Sequence, residues 1–436
     1  MKEIPEILIK RAEELERYYE EYYPSAAPLI KQCFLNTIQT TVQKQEDGSY
    51  FVITGDIPAM WLRDSAAQVR PYVKYAARDE ALREIIKGII LTQMKQVDID
   101  PYANAFNAAA DGAGHREDET EQNDWVWERK YETDSLCAPI YLAYCYWKET
   151  TCTDVFDDTY LYSLKKIIDV WKTEQTHWDS PYYFRRKNDT ETDTLPQDGK
   201  GNRVKDTGMT WSGFRPSDDR CVYGYLIPAN MMASKALQYA EEICREVYAD
   251  AEISGMCKKL RMEILDGIKR YGIVEHPKFD SIYAYETDGY GNYVLMDDAN
   301  SPSLLAMPYL GFCEKNEEVY LRTRRYILSS DNPCYYCGKY ASGIGSPHTP
   351  GNYVWHIGLI MQALTTNDRE EIKACVDAVL RTHADTDFMH ESFDVNNPNM
   401  YTRAWFAWAN SLFSELMDHL ACSHFWEQNK GGNANL

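Results

Sequence analysis

Leu82-Arg-Glu-Ile-Ile-Lys-Gly-Ile-Ile-Leu-Thr-Gln-Met-Lys-Gln-Val97 carries the pattern that decides the fold. Leu82, Ile85, Ile86, Ile89, Ile90, Met94 and Val97 recur at helical spacing and form one apolar face. The pattern then stops, and Asp98 to Glu128 is long, polar and acidic. A connection of that length in a compact domain is usually functional or mobile. The same alternation recurs in both directions. Ile4 to Tyr22 and Ala26 to Val42 read as helices before it. After it come an apolar helix ending near Trp147, then Phe156–Thr173, Pro228–Tyr248 and Ala251–Tyr271. Further helices are expected from Pro302 to Leu310, over Glu317–Leu328, up to Leu364, over Asp368–Ala384 and over Tyr401–Cys422.

About a dozen helices are thus joined alternately by short and long connections. Strands are few: Gly48–Gly55, and a hairpin around Gly289-Tyr-Gly-Asn292. No GxGxxG or phosphate loop argues for a doubly wound sheet. The economical architecture is all-α, six helical hairpins closed into an (α/α)6 barrel with a few short strands in the loops. Residues 1–436 then form one catalytic domain, because no Pro/Gly/Ser linker divides them. In such a ring the long acidic loops gather at one end of the inner helices.

Composition narrows the function. The net charge of −21 disfavours nucleic acid or an anionic membrane surface as partner. No run of about 18 apolar residues suggests a membrane span, and the N-terminus has no apolar signal region. The 12 cysteines are scattered, as expected of free thiols in a reducing cytoplasm. The CxxC at Cys334–Cys337 lacks the second pair that a structural zinc site needs. Glu117-Asp-Glu-Thr-Glu121 reads as a solvated loop without EF-hand spacing. The 33 tyrosines suit sugar contact and half-buried helix faces equally.

The chemistry concentrates in Trp211-Ser-Gly-Phe-Arg-Pro-Ser-Asp-Asp219. Pro216 favours a stiff turn, so Asp218 and Asp219 are held beside aromatics and Arg215. One carboxyl kept protonated in such a place suits glycoside chemistry; a solvated acidic turn is the bland alternative. Asp56-Ile-Pro-Ala-Met-Trp-Leu-Arg-Asp-Ser65 crowds Trp61, Arg63 and Asp64 at a helix mouth. Either the acids cap backbone N–H groups, or a sugar stacks on the ring and bonds to the acid. Ser65 and Gln68 have capping-box spacing, and Asp134 is placed to cap the next apolar helix. Asp297 and Asp298 read as caps too. His348, Trp355 and His356 bracket a Gly/Pro-rich loop, and Glu391 lies between the last two helices. Glycoside hydrolysis needs two such acids, one to protonate the leaving oxygen and one to activate water or attack the sugar. There is no nucleophile elbow and no HExxH. An isoprenoid cyclase would want DDxxD, whereas Asp219 is followed by Arg220, Cys221 and Val222. A glycan-binding protein with a dead site is the non-enzyme rival.

The motifs Asp56–Ser65, Gly213–Asp219, Met296–Pro302, Gly343–His348 and His390-Glu-Ser-Phe393 resemble those of glycoside hydrolase family 125, in the same order, from about residue 30 to the end. The resemblance implies an inverting exo-α-1,6-mannosidase that trims N-glycan-type oligosaccharides without metal or cofactor. It places the general acid at Asp218 and the general base at Glu391. The alternative within the doubled Asp is that Asp219 donates while Asp218 orients a hydroxyl. The resemblance further implies a terminal-mannose subsite shaped by Trp61, Arg63, Asp64, Asp134, Arg215, Asp219, His348 and Trp355. The expected partners are α-1,6-linked mannose oligosaccharides, with no obligate protein partner.

Overall fold

The computed structural model describes residues 4–187 and 190–427. Among them are twelve helices of eight or more residues. In chain order they are α1 Glu6–Tyr22, α2 Ala27–Asn36, α3 Leu62–Val69, α4 Glu80–Ile99, α5 Thr133–Thr150, α6 Asp158–Thr173, α7 Ile227–Glu246, α8 Ala251–Tyr271, α9 Glu318–Ile327, α10 His356–Leu364, α11 Arg369–Leu380 and α12 Ala407–Cys422.

α3, α5, α7, α10 and α12 form the inner wall. α3 packs on α5, α5 on α7, α10 on α12, and α12 returns to α3. The sixth inner position, between α7 and α10, is filled by residues 303–312. The helix expected there is a series of turns. Its apolar side chains nevertheless do a helix's packing, since Leu304, Leu305, Met307 and Leu310 are all buried. Outer helices return behind the inner ones, as α8 does on α7 and α11 on α10, and α2 packs behind α12 to join the two ends of the chain. The ring surrounds an apolar chamber lined from all six inner positions, including Ala66, Ala138, Met232, Leu310, Met361 and Leu412.

Outer and inner helices start differently. α4, α6, α8 and α11 begin at Asp79, Asp157, Asp250 and Asp368, each accepting a backbone N–H from the first turn. None of the five inner helices has a side-chain cap. α3, α7 and α10 run straight on from short strands, β1 Met60–Trp61, β4 Tyr225–Leu226 and β7 Tyr353–Trp355. β1 pairs with β2 Ala105–Phe106, which pairs with β3 Val126–Glu128, and α5 starts shortly after β3. β4 pairs with β5 Glu286–Thr287, which pairs with β6 Tyr293–Val294 across the expected Gly289–Asn292 turn. β7 pairs with β8 Ser392–Asp394, and β8 with β9 Asn397–Thr402, which precedes α12. Three small sheets therefore sit on the N-terminal ends of the inner helices.

Local details correct the sequence reading. α2 ends at Asn36 and passes into a π turn over Thr37–Thr41, and the Gly48–Gly55 strand is the second arm of a hairpin with Val42–Lys44. Ser65 is not a cap, because α3 begins three residues earlier. Its hydroxyl bonds to the Leu62 carbonyl, while Gln68 donates to Ile53 O. Tyr401 lies in β9, and α12 begins only at Ala407.

Candidate active site

Arg215 to Asp219 form a tight turn. Arg215 N donates to Asp219 O at 2.7 Å and Asp218 N to Arg215 O at 2.9 Å. Closing it puts Asp218 at φ +69°, a left-handed conformation that Asp tolerates better than most L residues. The turn is clamped from three sides. The Arg215 guanidinium donates to Glu286 on β5 at 2.6 Å. Ser217 Oγ donates to Asp298 at 2.9 Å. The buried Lys130 ammonium donates to the Asp218 carbonyl at 2.9 Å and to Asp193 at 2.6 Å.

Asp218 opens into a cavity at the N-terminal end of the inner helices. Trp61, Asp64, His348, Trp355 and Glu391 line it, with Arg63 and Trp408 shared between it and the chamber below. Those two side chains are the partition, with the Arg63 guanidinium 5.9 Å from the Trp408 ring centre.

Seven of the ten residues named from sequence thus meet on one cavity: Trp61, Arg63, Asp64, Asp218, His348, Trp355 and Glu391. The other three stand behind it. Asp134 is not a cap; it lies in the first turn of α5 and takes the Arg63 guanidinium at 2.9 Å. Asp219 is buried and bonds His348 Nδ1 at 3.1 Å. Arg215 is spent on Glu286. Asp297 caps no helix; it accepts the Leu304 and Leu305 N–H groups of the turns that replace the expected helix, whereas Asp298 supports Ser217. The acidic run near Glu117 is not simply solvated: Asp118 makes a two-pronged pair with Arg186, both at 2.7 Å.

The electrostatics follow from burial. Arg63 faces Asp64, Glu132 and Asp134, three carboxylates against one cation. Burial outweighs Arg63 for each acid and holds all three pKa values above the ordinary range. One oxygen of Asp64, one of Glu132 and one of Asp134 have no hydrogen-bond partner among the described residues. Burial also raises Glu391, with the Asp218 charge adding to it and the nearby Arg403 and His348 charges opposing it. His348 loses hydration, yet Asp219, Asp218 and Glu391 together lift it to about 9, so it is cationic at neutral pH.

Several lining or supporting residues escaped the sequence reading: Asn104, Lys130, Asn300, Arg403, Phe406 and Trp408. Arg403 pairs with Asp56 and stands 3.8 Å from Glu391. Its segment, Arg403-Ala-Trp405 just before α12, repeats the chemistry of Trp61-Leu-Arg63 at the start of α3. That likeness was the available signal. Asn104 has none beyond its place in a long loop.

Comparison with known proteins gives these features a lineage. A family model described as metal-independent α-mannosidase matches residues 24–418. The Streptococcus pneumoniae metal-independent α-mannosidase, captured in a non-productive substrate complex with α-1,6-mannobiose, superposes with a TM-score of 0.93 at 48% identity, covering 96% of this chain and 98% of that one. The meiotically up-regulated gene 157 protein of Schizosaccharomyces pombe is 41% identical over 414 residues, 90% of this chain and 81% of that protein. The Saccharomycopsis fibuligera glucoamylase shares only the fold, with a TM-score of 0.53 at 13% identity over 99% of this chain and 97% of the other. The (α/α)6 barrel is therefore that of the toroidal glycosidases, and the chain belongs to glycoside hydrolase family 125, the metal-independent α-mannosidases.

Proposed function

We propose that this α-mannosidase is an inverting exo-enzyme that removes non-reducing terminal mannose from α-1,6-linked, N-glycan-type oligosaccharides, with Asp218 as general acid and Glu391 as general base. The observation that carries the reading is that two acids from distant loops line one small cavity between Trp61, Trp355 and His348. The partition of Arg63 and Trp408 closes its floor, which suits removal of one end sugar. Asp218 supports the donor role better than Asp219, because Asp219 is tied to His348 and does not line the cavity. A raised Glu391 suits a base that works near neutral pH. The mannobiose bound by the pneumococcal relative supports the linkage.

In this reaction Asp218 passes a proton to the glycosidic oxygen as the bond to the anomeric carbon breaks. Water attacks from the opposite face and gives its proton to Glu391. Trp61 and Trp355 offer flat faces for the sugar ring, and the unpartnered Asp64 oxygen can take a hydroxyl. We further read residues 1–436 as one catalytic unit without an obligate protein partner, since α2 and α12 close the ring. A cytoplasmic setting is supported by twelve free thiols. Among the described residues, no helix is long and apolar enough to cross a membrane.

Asp218→Asn and Glu391→Gln should each lower turnover of α-1,6-mannobiose by about 10²–10⁴-fold with the thermal midpoint kept. Near-normal turnover by either variant removes that residue from its role. Proton NMR of the first-formed product should show β-mannose. If α-mannose comes first, the enzyme retains configuration and Glu391 is a nucleophile. A panel of linkage-isomeric mannobioses tests the 1,6 preference, and binding without cleavage of any of them would make the chain a glycan-binding protein.

A further inference from the structure

Asn104 precedes β2, at the start of the long loop, and is fully buried. Each half of its amide has an assigned job. Its Oδ1 accepts the backbone N–H of Lys130 at 3.1 Å. A backbone N–H can only donate, so this contact settles which end of the amide is oxygen. The Nδ2 group therefore faces the other way, where it meets two carboxylates: Glu128 Oε2 at 3.0 Å and Asp218 Oδ1 at 3.3 Å. Glu128 cannot share a proton with it. Although burial works against its charge, Lys130 and Arg186 hold it near a pKa of about 2. One amide hydrogen is thereby committed to Glu128 and the other to Asp218.

We propose that Asn104 is the positioning residue that selects which oxygen of Asp218 carries the transferable proton. An N–H directed at Oδ1 requires that oxygen to act as acceptor, so the proton resides on Oδ2. The Lys130 ammonium holds the Asp218 backbone carbonyl in its left-handed turn, which fixes where the side chain leaves the backbone, and the Asn104 amide is what meets the carboxyl itself. The Oδ2 proton passes to the glycosidic oxygen while the bond to the anomeric carbon breaks, and the bonding pair stays on that oxygen. Water adds to the carbon and its proton passes to Glu391. As Asp218 becomes a carboxylate, the hydrogen bond from Asn104 becomes charge-assisted and strengthens. Its help is therefore larger in the transition state than in the ground state. The amide does not touch the sugar.

This inference rests on Asp218 being the acid, and leaving-group dependence separates the two ideas. α-1,6-Mannobiose needs its leaving oxygen protonated; 2,4-dinitrophenyl α-mannoside does not. Asn104→Asp keeps the acceptor for the Lys130 N–H and removes the fixed donor. Asn104→Ala cannot donate in any protonation state and serves as the second variant. With KM for mannobiose held, the ratio of aryl-glycoside to mannobiose kcat should rise by about 30-fold or more in both variants. Asp218→Asn should raise it further. Equal losses on the two substrates, or no loss, would overturn the role given to Asn104. If Asp218→Asn itself shows no rise in the ratio, the acid assignment is what has failed.

Discussion

Asp134 at the head of inner helix α5 and Asp250 at the head of outer helix α8 are the same residue type near the same part of a helix. They do different work. Asp250 accepts two backbone N–H groups of its own helix, at 3.1 and 3.0 Å. Asp134 turns away from its helix and takes Arg63 of a neighbouring one. The contrast extends around the barrel, with four outer helices capped by Asp and five inner helices without a side-chain cap. Outside the ring, four helices are stabilised by the Asp that begins them, while α2 and α9 start without a side-chain cap. Inside it, acids are released from that duty and gathered around a cavity. The inner helix starts hold the site at the expense of their own ends.

Arg63→Met should strike the inner arrangement hardest. It removes the one cation that, among the described residues, bonds to both Glu132 and Asp134, leaving buried acids without that counter-charge. The expected loss is about 3–5 kcal/mol at neutral pH, together with activity. The sign of its pH dependence follows from the shifts. Glu132 and Asp134 already have raised pKa values with Arg63 present, and without it they rise further. Their charged forms then weaken the fold wherever the unfolded carboxyls are ionised, and the penalty fades as pH falls. Urea titrations at pH 7 and pH 5 should show a smaller deficit at the lower value. A deficit independent of pH would mean that packing, not charge, explains Arg63.

The same contrast shows what a sequence can disclose. The outer face was legible because periodicity acts within one helix, as in Leu82–Val97 and Ala251–Tyr271, although the Asp caps that start these helices were not read. The ring as a whole followed from the alternation of short and long connections. Asp218 and Glu391 were legible through motif resemblance, and the cavity brings them together. Asp134 and Ser65 were misread as caps because cap chemistry is local and the competing partner, Arg63 or Leu62, is settled by the fold. Residues 303–312 pack like a helix without forming one, which hydrophobic spacing cannot distinguish. Asn104 and Arg403 act across the chain from aperiodic segments; nothing local marks Asn104, and Arg403 is marked only by the likeness of its segment to Trp61-Leu-Arg63.

A milder test of the inner region is His348. Its charge opposes the burial that raises Glu391. His348→Asn should therefore let Glu391 rise further, moving the acid limb of kcat/KM to higher pH by on the order of half a unit to one unit. The wild-type imidazole has a stability signature too. Its folded pKa of about 9 stands above the ordinary 6.5. The charged form thus favours the fold below 6.5, and that contribution is lost as pH rises towards 9. A third of the side chain remains exposed, so solvent screens the effect. An acid limb that stays in place in the variant would separate His348 from Glu391.

The smallest effect should come from outside the ring. Asp250→Ala leaves the Glu252 and Ile253 N–H groups without their acceptor, and loss of such a cap costs about 1 kcal/mol. α8 is a 21-residue helix whose buried face, Ile253, Cys257, Leu260, Ile264 and Ile268, is anchored well beyond its first turn. The damage should therefore stay local. Because α8 lines no part of the cavity, kcat and KM for mannobiose should be unchanged while the thermal midpoint falls by about one degree. A kinetic effect as large as the loss of stability would show that the outer wall tunes the inner one, and the division of labour between the two sets of helix starts would not hold.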